Sequence, residues 1–123
     1  SGICIESLNW RPGVHSKRLI DKFKNKEDCF KHIIKRAEVS GTKKAYFKTS
    51  ISLSINKNYN VVFSGKIDGK ISSQRKGDYG FGYDPIFIPN SFNKTFAELS
   101  TKEKNKLSHR SIAVTKLVNF LVN

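Results

Sequence analysis

The stretch GFGYDPIF, residues 80 to 87, sets an aromatic ring between two glycines and closes with an acid and a proline. Gly80 and Gly82 open backbone conformations closed to other residues and permit close approach by a ligand, while Pro85 fixes the way out. Phe81 has no bulky sequence neighbour to shield its ring, and a ring presented in this way can stack on a planar base for about 1 to 3 kcal/mol. The competing reading, a loop packed into the core, is equally open on residue types alone.

Further on, KTFAELSTKEKN and SHR bring Glu98, Lys104, His109 and Arg110. Ser108 can cap a helix, which places His109 and Arg110 in its first turn. Positive side chains are disfavoured there by the helix dipole. Their presence makes sense where the helix start faces an anionic or carbonyl-bearing ligand. Taken singly, Lys104 reads as a solvated lysine, His109 as a structural histidine and Glu98 as a capping residue; His15 and His32 have only the structural reading.

The elements that must hold these residues follow from periodicity. Residues 1 to 8 read as a short strand with Ile3 and Ile5 on one face, followed by a turn at NWRPG. Cys29, Phe30, Ile33, Ile34 and Ala37 recur at helical spacing, with Asn25 as N-cap, Glu27 and Asp28 in the first turn and Gly41 beyond the end. From Ala45 to Ile55 the alternation has period two, NKN turns the chain, and alternation resumes from Tyr59 to Ile67, which predicts an antiparallel hairpin. KIDGKI reads as a second tight turn. Ser100 and Glu103 form a capping box for a short helix, and a longer one after Ser108 should bury Ala113, Val114, Leu117, Val118 and Leu121.

The chain has 123 residues, enough for one domain with one core. No apolar run is long enough to cross a bilayer and SGICIESLNW lacks the features of a secretory signal, so a soluble, cytoplasmic protein with no membrane partner is expected. Cys4 and Cys29 are too few for a disulfide framework and are not spaced as metal ligands. The net charge of +13 suits polyanionic partners. The lysines, however, are spread over helix, strand and turn without a recognised RNA-binding motif, and an AT-rich coding sequence gives the same bias. A non-catalytic basic module for nucleic acid or nucleotides is therefore the alternative reading, with nucleic acid the less expected partner.

The three motifs GFGYDPIF, KTFAELSTKEKN and SHR, with SGICIESLNWRPGVHSKR at the start, resemble the inosine-triphosphate pyrophosphatase family over nearly the whole chain. That family converts deaminated purine nucleotides (ITP, dITP, XTP) to monophosphate and pyrophosphate. The resemblance implies an α/β fold with a long mixed twisted sheet flanked by helices and a cleft between two lobes. It also implies a homodimer and Mg²⁺ as cofactor.

By matching position, Phe81 would stack on the purine, with Gly82, Tyr83 and Asp84 completing the base pocket. Lys104, His109 and Arg110 would surround its far edge, Ser1 would contact substrate, and Arg18 would serve substrate or structure. A 6-oxo purine accepts hydrogen bonds where adenine donates them, so donors at that edge would act as a filter. Trp10, Arg11, His15 and the LID after Arg18 depart from the family's pattern around the first motif.

The family's phosphate loop S/T-x-N-x-x-K, its metal-binding glutamate and the aspartate pair before SG have no match in these residues. Residues 1–123 are thus expected to be the C-terminal two-thirds of such a domain, without a catalytic or metal residue of their own. Activity of the isolated residues is not expected, and a partner chain could supply the segment if the gene is split.

Overall fold

The computed structural model describes residues 1–122, built on a five-stranded sheet of order β2-β1-β3-β4-β5. The strands are β1 (Gly2–Ile5), β2 (Arg11–Gly13), β3 (Lys44–Asn56), β4 (Tyr59–Ile71) and β5 (Phe87–Pro89). The helices are α1 (Ser16–Asp21), α2 (Lys26–Ser40), α3 (Thr101–Leu107) and α4 (His109–Val122). The α/β class holds. Every strand pair among the described residues is antiparallel, so the parallel component of a mixed sheet does not lie within them.

The centre of the molecule is the β3–β4 hairpin, in register from Lys44 opposite Lys70 to Ser54 opposite Asn60, with a bulge before Asn56 meets Tyr59. Its strands are about 40 Å long at the usual rise per residue. Only the lower half is widened into a sheet, because β1 pairs with Ala45 to Lys48 and β5 with Gly69 to Ile71. There the inward-facing Ile3, Ile5, Ala45, Phe47 and Ile71 form one core with Phe30 and Ile33 of α2, Phe87 of β5, and Ile86 and Phe96 from short 3₁₀ turns. Helix α2 has the expected ends: Asn25 Oδ1 accepts from the Asp28 N–H at 2.9 Å, and Gly41 closes it in the left-handed conformation.

Two expectations change. KIDGKI is not a turn; it continues β4, with Asp68 opposite Tyr46 and Gly69 opposite Ala45. Gly69 is needed for closeness, since a Cβ there would run into the Phe87 ring and the Ile88 carbonyl of the neighbouring strand. Helix α4 also buries less than its pattern suggests. His109 and Ala113 are buried, whereas Val114, Val118 and Leu121 are exposed. The helix lies over a hairpin only two strands wide at that level, which leaves nothing to cover its flank.

Candidate functional site

Where β1, α1, the 80–84 loop and the junction of α3 and α4 meet, they enclose a cleft of about 540 Å³. All eight residues expected to bind substrate line it: Ser1, Phe81, Gly82, Tyr83, Asp84, Lys104, His109 and Arg110.

The loop is held from within. Gly80 and Gly82 take φ of 79° and 59°, the left-handed region, and Pro85 lies in a 3₁₀ turn from Asp84 to Ile86. The buried Asp84 carboxylate accepts from the Phe81 N–H at 3.0 Å and is ion-paired to the Lys104 ammonium. Both are shielded, with the Asp84 side chain 6% and the Lys104 side chain 14% exposed. Lys104 is thus not the solvated lysine that its sequence neighbours suggest.

Phe81 itself is 59% exposed. Lys104 Nζ stands 4.6 Å from its ring centroid and the Arg110 guanidinium carbon 4.7 Å, distances at which a cation is attracted to the ring quadrupole. The aromatic is therefore fixed by its loop and rimmed by two cations, yet still presents ring surface to the cleft.

Tyr83 lines the wall with its polar atom already committed. Its hydroxyl donates to the Ser16 carbonyl at 2.5 Å and its ring packs against Phe30. Burial raises the phenol well above its ordinary pKa and pushes the nearby Cys29 thiol up to about 11, so neither ionises at neutral pH. Tyr83 and Asp84 shape the cleft rather than offer it free donors.

His109 is the opposite case. It is 6% exposed, its ring stacks on Phe47 at 5.0 Å and 11°, and among the described residues neither ring nitrogen has a hydrogen-bond partner. Burial first, and then the charge of Arg110, lowers its pKa to about 4. A neutral imidazole with both nitrogens unpaired is costly in a core, where buried polar groups normally find partners. His109 lines the cleft, but both nitrogens are buried, so its donor and acceptor meet a ligand only where the wall yields.

The start of α4 is positioned by β4. A Cβ on Gly65 would collide with the His109 carbonyl and Ala113 N, so the helix sits directly against the strand and points its first turn into the cleft. Ser108 Oγ accepts from the Ser111 N–H at 3.1 Å, capping that turn. Arg110 Nε donates to Ser1 Oγ at 3.0 Å, and Ser1 Oγ is 2.7 Å from Thr49 Oγ1. Residues 1 and 110 are thereby joined across the mouth.

Arg18 is not brought there. It lines a separate cleft with Arg11, His15 and Arg36. Glu98 has the capping task expected of it, accepting from the Thr95 N–H at 3.0 Å.

The sequence reading missed Phe47, the aromatic under His109, because its alternation marks it only as core. It also missed Lys17, Lys26 and Asn105 in the lining, which no motif distinguishes from other surface residues. Two carboxylates reach the cleft. Asp21 pairs with Lys17 at 3.0 Å and Asp84 with Lys104, and among the described residues no three His, Cys, Asp or Glu side chains cluster as a metal site. These residues do not by themselves fit a magnesium ion.

Comparison with known proteins bears on the same residues. The family model described as the Ham1 family matches residues 1–120. The dITP/XTP pyrophosphatase of Christiangramia forsetii is 40% identical over 121 residues, covering 98% of this chain and 63% of that protein. That of Leuconostoc mesenteroides is 41% identical over 118 residues, covering 95% of this chain and 59% of that protein. The solved structure of a HAM1 protein from Coxiella burnetii superposes with a TM-score of 0.88 at 34% identity, over 98% of this chain and 64% of that one. The chain thus spans less than two-thirds of the length of the relatives it matches.

Proposed function

The chain belongs to the Ham1 family, and from that premise we propose that its cleft recognises the base of deaminated purine nucleotides such as ITP, dITP and XTP. The observation that carries the reading is the convergence of eight residues, singled out by motif, on one cleft. They come from positions as far apart as 1 and 110.

In this reading the exposed ring of Phe81 stacks on the purine, and the Lys104–Arg110 edge meets the 6-carbonyl oxygen. Lys104 and Arg110 only donate, and neutral His109 has one N–H to give. A 6-oxo purine satisfies such an edge. Adenine turns its own amino group toward it and leaves the donors unpaired, which is the costlier kind of mismatch.

The reaction is hydrolysis of the bond between the α and β phosphates, giving monophosphate and pyrophosphate. The residues described here supply the base recognition. Magnesium belongs to the proposed reaction, but with both cleft carboxylates engaged by lysines we assign no step to it. Isolated residues 1–123 are expected to discriminate between bases while hydrolysing ITP no faster than buffer. A homodimer and a cytoplasmic location belong to the same proposal; no helix among the described residues is long and apolar enough to cross a membrane.

Calorimetric titration with ITP and ATP in parallel tests the reading. ITP binding at least about tenfold tighter is expected, the discrimination of one well-used polar contact. Equal affinities would overturn it.

A further inference from the structure

The sheet face turned away from the core carries a second arrangement that the nucleotide cleft does not use. Along β3 this face shows Lys44, Tyr46 and Lys48, and directly opposite them on β4 lie Lys70, Asp68 and Lys66. Two lysine pairs therefore face each other across the ladder, Lys44 with Lys70 and Lys48 with Lys66, and all four side chains are exposed. Like charges directly opposite are destabilising. The one acid, Asp68, offsets only Lys66, at 3.4 Å.

Between the lysines sit two aromatic rings. Trp10, from the β1–β2 connection, reaches over Tyr46 with centroids 5.6 Å apart, and Lys66 Nζ stands 4.3 Å over the Tyr46 ring. Trp10 is 43% exposed and has φ of +63°, an unfavourable conformation for a bulky residue. Together with Lys44, Lys66, Asp68 and Asn90, the two rings border a groove of about 570 Å³. Repelling lysines, a strained backbone and a half-exposed indole contribute nothing to the core, yet they occur together.

We propose that this face binds single-stranded nucleic acid, with bases stacking on Trp10 and Tyr46 and phosphates neutralised by Lys44, Lys48, Lys66 and Lys70. Stacking platforms rimmed by cations are how proteins hold single strands without reading sequence, and every base has a face to offer. A duplex keeps its bases stacked internally and cannot use the rings. An anionic membrane fits less well, because beyond Lys48 the same face continues as Ser50, Ser52 and Ser54, and the exposed Val62 opposite Ser52 lies about 20 Å along the strands from Trp10, too far to form one apolar anchor with it.

The lysines of one strand are about 13 Å apart and those of the two strands about 5 Å, so they bracket the rings on both sides. The sequence spreads its lysines over helix, strand and turn, and only the strand register gathers these four. The face is on the other side of the sheet from Phe47, so a nucleotide in the cleft and a strand on this face do not compete.

Trp10 is the only tryptophan, so its emission reports the binding directly. The chain is titrated with an oligo(dT) of about 12 nucleotides at about 50 mM salt, where saturable quenching is expected. With four phosphates neutralised, affinity should fall roughly 50-fold on raising salt to about 200 mM. The double variant Lys44→Glu and Lys48→Glu turns both repelling pairs into cross-strand ion pairs, so the fold and ITP binding should be kept while oligo(dT) affinity drops at least about tenfold. Absent quenching, affinity unchanged in the folded variant, displacement of the oligonucleotide by excess ITP, or quenching by phosphatidylserine vesicles but not by oligo(dT) would each overturn the proposal.

Discussion

At the scale of single residues, Phe81 and His109 make separable contributions. Phe81 is exposed, so Phe81→Ala should leave the melting temperature nearly unchanged while weakening ITP binding by about 1 to 3 kcal/mol, the worth of a base stacked on a ring. Loss of stability without loss of affinity would mean that the ring packs rather than binds. His109 reports through pH. Its folded pKa of about 4 lies below the ordinary value of 6.5, chiefly through burial. Between those values the unfolded chain holds the proton and the folded chain does not, so stability is fully present above pH 6.5 and falls as the pH drops toward 4. The whole difference is about 3 kcal/mol. Denaturant titrations at pH 7 and pH 4.5 should show most of it, and His109→Phe, which keeps the stacking on Phe47, should flatten the difference. Phe81, His109 and Arg110 were singled out in the sequence by the motifs that resemble the family, since residue types alone leave a core aromatic and a structural histidine open. The pairing of Asp84 with Lys104 was not, because it joins residues 20 apart whose local patterns say only loop and surface lysine.

At the scale of elements, periodicity revealed the hairpin and α2, and the failures have a common cause. KIDGKI reads as a turn because Asp-Gly is turn chemistry, yet the neighbouring Phe87 and Ile88 need a glycine inside a strand. The pattern of α4 reads as a buried stripe because a helix cannot sense how wide the sheet beneath it is. Gly65 decides where that helix begins, and its φ is ordinary, so its role is purely one of room. Gly65→Ala should therefore act by overpacking, costing about 1 to 3 kcal/mol in stability. Moving the start of α4 also displaces His109 and Arg110, so the preference for ITP over ATP should shrink in the same variant. If stability falls and the preference is kept, the site does not depend on this contact. By contrast Ser100→Ala, which removes the capping box of α3 on the solvent side, should cost about 1 kcal/mol with base preference intact, since Lys104 remains pinned by Asp84.

For the whole molecule, composition was informative about class and silent about direction. A charge of +13 says that a polyanion is welcome, while only the register of β3 and β4 tells which lysines share a face. The same limit applies to the apolar residues left outside. Val114, Val118 and Leu121 lie at helical spacing on the exposed flank of α4. Beyond Thr49, no strand among the described residues pairs with β3 on its β1 side, so the backbone groups on that edge stand unpaired within the sheet. An apolar flank beside an open strand edge favours association. Sedimentation velocity on residues 1–123 at tens of micromolar should therefore show a species larger than the monomer. Val118→Lys should return it to monomer without lowering the melting temperature, because the side chain it replaces is already half in solvent. The nucleotide cleft and the lysine face lie apart from this flank, so ITP affinity should be the same in both species. A chain that stays monomeric at that concentration would show that the flank is tolerated in water, and self-association through α4 would have to be abandoned.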